Sequence, residues 1–325
     1  MQRALVLLLA SVAACRAPIA EPPPEGRIEV REPGPSVSFV AIGDFGDDSP
    51  FEATIAARVR GAAPDVIVTL GDNNYPSGAA RTIDANVGKH YASFIAPYRG
   101  EYGPGAEHNR FFPSLGNHDW YTTDLQPYLD YFELPGNERY YDFVWGPVHF
   151  FAIDSDSAEP DGTSVDSIQA QWLQETMRAS ESPWQVVYMH HAPYSSGRHG
   201  SETTMQWPYA QWGADAVLAG HDHHYERIER DGAVFLVNGL SGSPKVYPIG
   251  APIEGSQVRF NETHGALFAN ATATRLSFSF VTGGGKTIDK VELTQAAEPA
   301  PAPGASVPEP ESEPATPSDF DAYED

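Results

Sequence analysis

The chain has 325 residues, 41% of them apolar and 11% aromatic, which is enough to bury one substantial hydrophobic core. It carries 44 acidic residues against 20 Lys and Arg, for a formal net charge of −24. This balance excludes a protein that binds the nucleic-acid backbone, because such proteins need a basic surface. Residues 295–325 hold much of the negative charge, since they contain acidic residues and no Lys or Arg.

The sequence at the amino terminus predicts that the protein is exported. An apolar run over residues 4–14 follows Arg3, and it is shorter than the roughly 20 residues that span a bilayer, so we expect a cleaved signal peptide over residues 1–14. The small residues before Cys15 resemble a bacterial lipobox, in which the cysteine becomes lipidated. The prediction is an exported bacterial lipoprotein, anchored to a membrane through lipid on Cys15 and facing the periplasm or lying on the outer membrane or cell surface. An ordinary secretory signal with an incidental cysteine is the alternative.

Two segments lack the apolar periodicity of folded structure. Residues 15–35 begin with the lipidated cysteine and are rich in Pro and Glu, which predicts a stiff linker to the folded domain. Residues 295–325 alternate Pro, Ala and Glu and bury too little apolar surface to fold, so we predict a disordered acidic tail. The single folded domain is expected over residues 36–294.

Within that domain, strand-like apolar runs alternate with helical stretches, which predicts an α/β protein. A helix is predicted to begin at Pro50, where Ser49 can cap it and Pro occupies the first turn. Further helices are predicted over residues 83–95 and 167–177. Strands are predicted over residues 37–42, 66–70, 140–144, 148–153, 185–189, 216–219, 234–237, 265–269, 275–281 and 290–293.

Five segments rich in possible metal ligands lie at the ends of strand-like runs. Open α/β sheets place ligands at the carboxyl ends of their strands, so we expect these segments to form one site. Asp72 follows the run over residues 66–70, and its two oxygens can bind one cation each. Taken alone, Asp72 could instead cap a turn while Tyr75 packs in the core. The segments are Gly43-Asp44-Phe45-Gly46, Gly71-Asp72-Asn73-Asn74-Tyr75, Gly116-Asn117-His118-Asp119, Val187-Tyr188-Met189-His190 and Gly220-His221-Asp222-His223.

Together these segments supply carboxylate, phenolate, amide and imidazole groups, a set that suits hard or borderline metals and not a thiolate site. The ordered set resembles the calcineurin-like metallophosphoesterase superfamily. Tyr75 makes the chain similar to purple acid phosphatases of the short, tartrate-resistant type, over about residues 36–293. The resemblance implies a four-layer α/β/β/α sandwich of two mixed sheets with flanking helices.

The resemblance also implies a dinuclear metal centre. One ion would be Fe(III), and its divalent partner would be Zn, Fe(II) or Mn. The ferric ion would be held by Asp44, Asp72, Tyr75 and His223. The divalent ion would be held by Asp72, Asn117, His190 and His221, so Asp72 would bridge the two ions.

The implied activity is hydrolysis of a phosphomonoester, in a small molecule or a phosphoprotein, by attack of a metal-bound hydroxide. His118 or His199 would protonate the leaving group. His199 lies nine residues after His190, the offset at which this phosphatase type carries a further histidine. Asp47 and Asp48 depart from the family pattern, because they add carboxylates directly after the first segment.

Alternatives to this activity remain. A phosphodiesterase or nucleotidase on the same scaffold is one, because the loops over residues 120–134 and 155–167 that would wall the pocket are not readable from the sequence. A non-catalytic surface lipoprotein that uses the fold for binding is another, although such a protein would be expected to have lost ligands and none is missing. His191, His199 and His224 also suit a surface loop, and Arg198 could meet phosphate or be an exposed loop residue.

Overall fold

The structure, a computed structural model, describes residues 34–296. The predicted signal peptide, the lipidated Cys15, nearly all of the predicted linker and nearly all of the predicted tail lie outside these residues and stay predictions. Within residues 34–296, no helix combines the length and the apolar character that a membrane crossing requires.

The first sheet contains β1 (Ser36–Ile42), β2 (Val66–Thr69), β3 (Phe111–Pro113), β11 (Gly265–Thr272), β12 (Arg275–Thr282) and β13 (Thr287–Thr294). Its strand order is β13-β12-β11-β1-β2-β3. The strands β1, β2 and β3 run parallel to one another, and β11, β12 and β13 form antiparallel pairs. The sheet is therefore mixed, with its parallel half at one side.

The second sheet contains β4 (Tyr141–Trp145), β5 (Val148–Ala152), β6 (Trp184–Tyr188), β7 (Ala216–Ala219), β8 (Tyr225–Arg230), β9 (Ala233–Asn238) and β10 (Ser256–Phe260). Its strand order is β10-β8-β9-β7-β6-β5-β4. The central strands β5, β6, β7 and β9 are parallel, and antiparallel strands close both sides.

The two longest helices begin at serine caps. The Ser49 hydroxyl accepts a hydrogen bond from the Glu52 backbone N–H at 3.0 Å, and Ser167 accepts one from Ala170 in the same way at 3.1 Å. The α-helices are Pro50–Ala62, Ala80–Ile83, Lys89–Tyr91, Gln126–Tyr131, Ile168–Arg178 and Tyr209–Trp212. A π-helical turn covers Asp84–Gly88, and 3-10 turns cover Ala92–Phe94, Asp119–Tyr121, Thr123–Leu125 and Thr203–Met205.

Aromatic side chains hold the two sheets face to face. Phe39 of β1 meets Phe150 of β5 edge to face, with ring centroids 5.0 Å apart, and Phe112 of β3 stacks on Phe143 of β4 at 3.8 Å. The helix Pro50–Ala62 buries its apolar face against the first sheet, and Ile168–Arg178 does so against the second. The predicted sandwich of two mixed sheets with flanking helices is thereby confirmed.

Each predicted strand overlaps an observed one, but the helix predicted over residues 83–95 is wrong in its start and its regularity. Helical structure begins at Ala80 and passes through the π-helical turn. The carboxylate of Asp84 accepts hydrogen bonds from the hydroxyls of Tyr98 at 2.6 Å and Tyr131 at 2.7 Å. These contacts come from outside the helix, so its own sequence does not signal the turn. The sequence also gave no prediction of β8 or β10.

We expect Phe150→Ala to lower the free energy of unfolding by about 3–5 kcal/mol, because it removes a fully buried ring that joins the two sheets. Denaturant unfolding followed by circular dichroism measures this. The matched control is Phe51→Ala, at a ring that is 44% exposed, for which about 1 kcal/mol or less is expected. Equal losses at both positions would contradict a core that depends on the contact between the sheets.

Candidate metal centre

The five predicted segments lie at the carboxyl ends of parallel strands from both sheets. Asp44, Asp72 and Asn117 follow β1, β2 and β3 of the first sheet, and His190 and His221 follow β6 and β7 of the second. Parallel strands end at a common edge, and the two sheets pack face to face. The structure therefore brings all five segments together.

The backbone holds the two aspartates in place. Asp44 and Asp72 both have a φ of 53°, in the left-handed region that non-glycine residues adopt only where their surroundings fix it. The His221 N–H donates to Oδ2 of Asp44 at 2.8 Å, and the His118 N–H donates to Oδ1 of Asp72 at 2.9 Å. A side chain at Gly116 would collide with Asp72, so glycine is required for this approach.

The first group of side chains meets around the phenol oxygen of Tyr75. This oxygen lies 2.8 Å from Oδ2 of Asp72 and 3.2 Å from Oδ1 of Asp44. Nε2 of His223 lies 3.3 Å from it and 3.1 Å from Oδ1 of Asp44. All four side chains are buried. They are the four that the resemblance to purple acid phosphatases assigns to Fe(III).

The second group meets around Nε2 of His190. This nitrogen lies 3.0 Å from Oδ1 of Asn117, 3.1 Å from Nδ1 of His221 and 3.4 Å from Oδ1 of Asp72. These are the side chains that the resemblance assigns to a divalent ion. Asp72 is common to both groups, with one oxygen facing each.

The electrostatics of the two groups favour cations. Burial and the neighbouring Asp44 carboxylate raise the pKa of Asp72 well above its usual range, and the hydrogen bonds from the His118 N–H and the Tyr75 hydroxyl oppose this shift only in part. Burial and the same carboxylates also raise the pKa of the Tyr75 phenol. A cation within reach of these oxygens would reverse both shifts.

The histidine tautomers fit metal ligation as well. Nδ1 of His190 lies 2.8 Å from the carbonyl oxygen of Leu70, so in the neutral ring it carries the proton and leaves a lone pair on Nε2. That lone pair faces the Asn117 amide oxygen, and a cation stabilises two electron-pair donors that face each other. His223 repeats the pattern, with Nδ1 2.7 Å from the carbonyl oxygen of Lys245. The residues present therefore fit a two-metal centre.

The two predicted proton donors lie beside different groups of side chains, His118 beside the first group and His199 beside the second. The ring of His118 lies 4.5 Å from that of Tyr75, centroid to centroid, and its Nδ1 is 2.6 Å from the carbonyl oxygen of Pro76. The ring of His199 lies 4.2 Å from that of His221. Both are within reach of a molecule bound between the two groups.

The remaining histidines near the motifs separate into two kinds. His191 lies beside the centre, with its ring 4.4 Å from that of His221 and its Nδ1 3.0 Å from the Ser155 hydroxyl oxygen. His224 is fully buried and contacts the Glu226 carboxylate at 3.1 Å. Neither has the exposed surface-loop position that was the alternative for both, whereas His199 is exposed on its loop.

The extra carboxylates after Gly46 have structural contacts. Asp48 accepts from the ammonium group of Lys89 at 2.7 Å and lies 3.1 Å from Nε2 of His90. Burial raises the pKa of Asp47. The Asp47 N–H donates to the Glu52 carboxylate of the helix Pro50–Ala62 at 3.1 Å.

Sequence reasoning missed Tyr247. Its ring stacks on that of His223, with centroids 4.4 Å apart and planes 16° apart, and its N–H donates to the His223 carbonyl oxygen at 3.2 Å. Tyr247 lies in an irregular segment between β9 and β10 that carries no motif. No local signal in the sequence could have identified it.

Comparison with known proteins identifies the family. Residues 37–225, more than half of the chain, match the calcineurin-like phosphoesterase family. The chain belongs to that family. It is accordingly a metal-dependent phosphoric ester hydrolase, and the resemblance inferred from the motifs is confirmed.

Individual relatives place this phosphoesterase near the purple acid phosphatases. Purple acid phosphatase 17 of Arabidopsis thaliana is 25% identical over 253 residues, which cover 66% of this chain and 71% of that protein. The purple acid phosphatase PPD1 of yellow lupin has a TM-score of 0.65 at 16% identity, with 81% of this chain and 54% of that chain covered. The phosphoesterase thus spans about half the length of the lupin chain.

A further solved structure shares the architecture. GAP50, described as the anchor in the inner membrane complex of Plasmodium, has a TM-score of 0.63 at 16% identity, with 81% of this chain and 90% of that chain covered. At this identity the likeness to both solved structures shows the fold alone.

We expect Asp72→Ala to abolish both metal content and phosphoesterase activity. Because Asp72 belongs to both groups, the loss should exceed the about 10–100-fold that is typical of residues that only orient a ligand. Metal analysis of the purified protein and initial rates measure the two effects. Asp166→Ala, at an exposed carboxylate, is the control, and full metal content in Asp72→Ala would sink the bridging role.

Proposed function

We propose that the protein is a dinuclear-metal acid phosphatase that hydrolyses phosphomonoesters. The observation that supports this most directly is the convergence of seven side chains in two groups that share Asp72. Two cations a few ångströms apart are the arrangement used for in-line phosphoryl chemistry. The relation to purple acid phosphatases supports the same activity.

The first group would hold Fe(III), because a phenolate and two carboxylates suit a hard, highly charged ion. The second group is less anionic and would hold Zn, Fe(II) or Mn. When bound, the ions offset the charge of the phosphate and acidify the attacking water. The ligands proposed for Fe(III) are Asp44, Asp72, Tyr75 and His223, and those proposed for the divalent ion are Asp72, Asn117, His190 and His221.

The chain's own residues position the proton that the leaving group needs. Nδ1 of His118 donates to the carbonyl oxygen of Pro76 and fixes the ring, which leaves Nε2 3.9 Å from Oδ2 of Asp72 to face a bound molecule. Burial lowers the pKa of His118. His118 is therefore in its acid form only at acidic pH, which favours an acid phosphatase. His199 serves the same role from the side of His221.

The cellular location that we propose is that of an exported bacterial lipoprotein. The apolar run at residues 4–14 and the small residues before Cys15 support it, and both lie outside the described residues. A lipid on Cys15 would anchor the protein to a membrane at the cell surface or facing the periplasm. The substrates we propose are phosphorylated small molecules or phosphoproteins outside the cytoplasm.

We expect faster hydrolysis of p-nitrophenyl phosphate than of bis(p-nitrophenyl) phosphate, with an optimum below pH 7, for protein prepared aerobically with iron and zinc. A general acid must be protonated, and a lowered pKa moves its protonated range to lower pH, so activity should fall as pH rises through that pKa. Initial rates across acidic and neutral buffers measure this. A preference for the diester, or an optimum well above neutral, would favour a phosphodiesterase or nucleotidase instead.

We expect the iron-loaded protein to absorb visible light through charge transfer from the Tyr75 phenolate to Fe(III), and Tyr75→Phe to lose this band. The ring is kept in this variant, so its packing against His118 is preserved. Absorbance spectra and iron content are measured together. Tyr102→Phe, at a phenol that is 46% exposed, should keep the band. A band that survives in Tyr75→Phe at full iron content would rule out the proposed ferric ligand.

A further inference from the structure

The ring of Tyr247 lies between the Arg198 guanidinium group and the candidate metal centre. Its Cζ is 5.0 Å from the centroid of the Tyr247 ring, and this ring stacks on His223 at 4.4 Å. The ring of His199, the next residue, lies 5.3 Å from the same tyrosine. The guanidinium group is therefore close to the first group of side chains, which we propose to hold Fe(III). It is also close to His199, a predicted proton donor.

Two buried carboxylates fix the loop that carries this arginine. Oδ1 of Asp222 accepts from the His199 N–H at 2.8 Å, and Oδ2 accepts from the Ser195 hydroxyl at 2.5 Å. Glu226 accepts from the Ser196 N–H at 2.7 Å and from its hydroxyl at 2.6 Å. Asp222 lies between the candidate ligands His221 and His223, and Glu226 follows three residues later in β8, so hydrogen bonds tie this loop to the elements that carry those ligands.

The loop that carries Tyr247 is also fixed. The Tyr247 N–H donates to the His223 carbonyl oxygen at 3.2 Å, and the Asn261 side-chain amide donates to the Tyr247 carbonyl oxygen at 2.8 Å. The Gly250 N–H donates to the Ser196 carbonyl oxygen at 2.7 Å, which ties the two loops together. Arg198 and Tyr247 are thus held in place before a ligand binds, which reduces the entropy lost on binding.

The hydrogen-bonding capacity of the Arg198 guanidinium remains available. Within residues 34–296, the Tyr247 ring is the contact that holds it, and no carboxylate lies at ion-pair distance. This is unexpected in a chain with 44 acidic and 20 basic residues. Arginine presents its donors in a planar fork that matches a carboxylate or a phosphoryl group.

We infer that Arg198 is a specificity-determining residue that binds a second anionic group of the phosphomonoester substrate. This second group is a carboxylate or a second phosphoryl group. It would lie beside Arg198, separated by the Tyr247 ring from the phosphate at the metal centre. The inference rests on the proposed phosphatase function and adds a substrate class to it. The class is phosphomonoesters with a second anionic group.

The test compares two substrates that differ only in the charge at the end of the molecule remote from the phosphate. One is pentanoate with a phosphate ester on its terminal carbon, and the other is the primary amide of the same molecule. The wild-type protein should have a kcat/KM about fivefold higher for the carboxylate, the upper range for an exposed ion pair. Arg198→Gln should bring the ratio close to one, and added salt should lower it in the wild type.

Two further variants make the assignment specific. Arg178→Gln, at an exposed arginine in the last turn of the helix Ile168–Arg178, should keep the wild-type ratio. Lys245→Gln tests the other exposed cation beside Tyr247. A preference that is lost in Lys245→Gln and kept in Arg198→Gln would overturn the assignment to Arg198.

The outcomes separate this inference from the proposed function. Hydrolysis of both substrates with equal kcat/KM by the wild-type protein would overturn the anion-binding role and leave the phosphatase function standing. Hydrolysis of neither substrate by protein that holds its metals would overturn the proposed function, and the inference with it. A charge preference that depends on Arg198 supports both.

Discussion

The carboxylate of Asp72 is the constraint on which the site depends, because it faces two groups of ligands at once. Its Oδ2 lies 2.8 Å from the Tyr75 phenol, and its Oδ1 lies 3.4 Å from Nε2 of His190. Those two partners come from different sheets, so one carboxylate serves both only if the sheets keep a fixed relation at this edge. The contact between Phe39 and Phe150 in the core provides that relation. Core packing and the geometry of the candidate metal centre are therefore coupled through a single side chain.

The same arrangement makes the site electrostatically unfavourable without cations. Asp44 and Asp72 are buried side by side, and burial of two neighbouring carboxylates costs free energy even when backbone donors reach them. The N–H groups of His221 and His118 donate to them but carry no net charge. Bound metals would offset both carboxylates. Metal binding should consequently stabilise the folded protein as well as supply the chemistry.

The sequence predicts the fold and the ligand segments because both depend on local signals. A strand appears as an apolar run, and the rule that parallel strands end at one edge is enough to bring the segments together. The turn at Asp84–Gly88 depends instead on the hydroxyls of Tyr98 and Tyr131, which are distant in sequence. The stack of Tyr247 on His223 depends on how an irregular segment returns to the centre. Such tertiary contacts leave no pattern in a single sequence.

The candidate ligands alone do not define the substrate, because a dinuclear centre of the proposed kind would bind any phosphoryl group. Discrimination must come from side chains that contact the rest of the molecule, and those lie on the loops around the centre. A cation at the position of Arg198 favours a substrate with charge beyond its scissile phosphate, and a diester with an uncharged second arm gains nothing from it. Elsewhere the chain is strongly acidic and repels anions. In the proposed role, Arg198, which has no carboxylate at ion-pair distance within residues 34–296, shifts selectivity toward monoesters that carry a second negative charge.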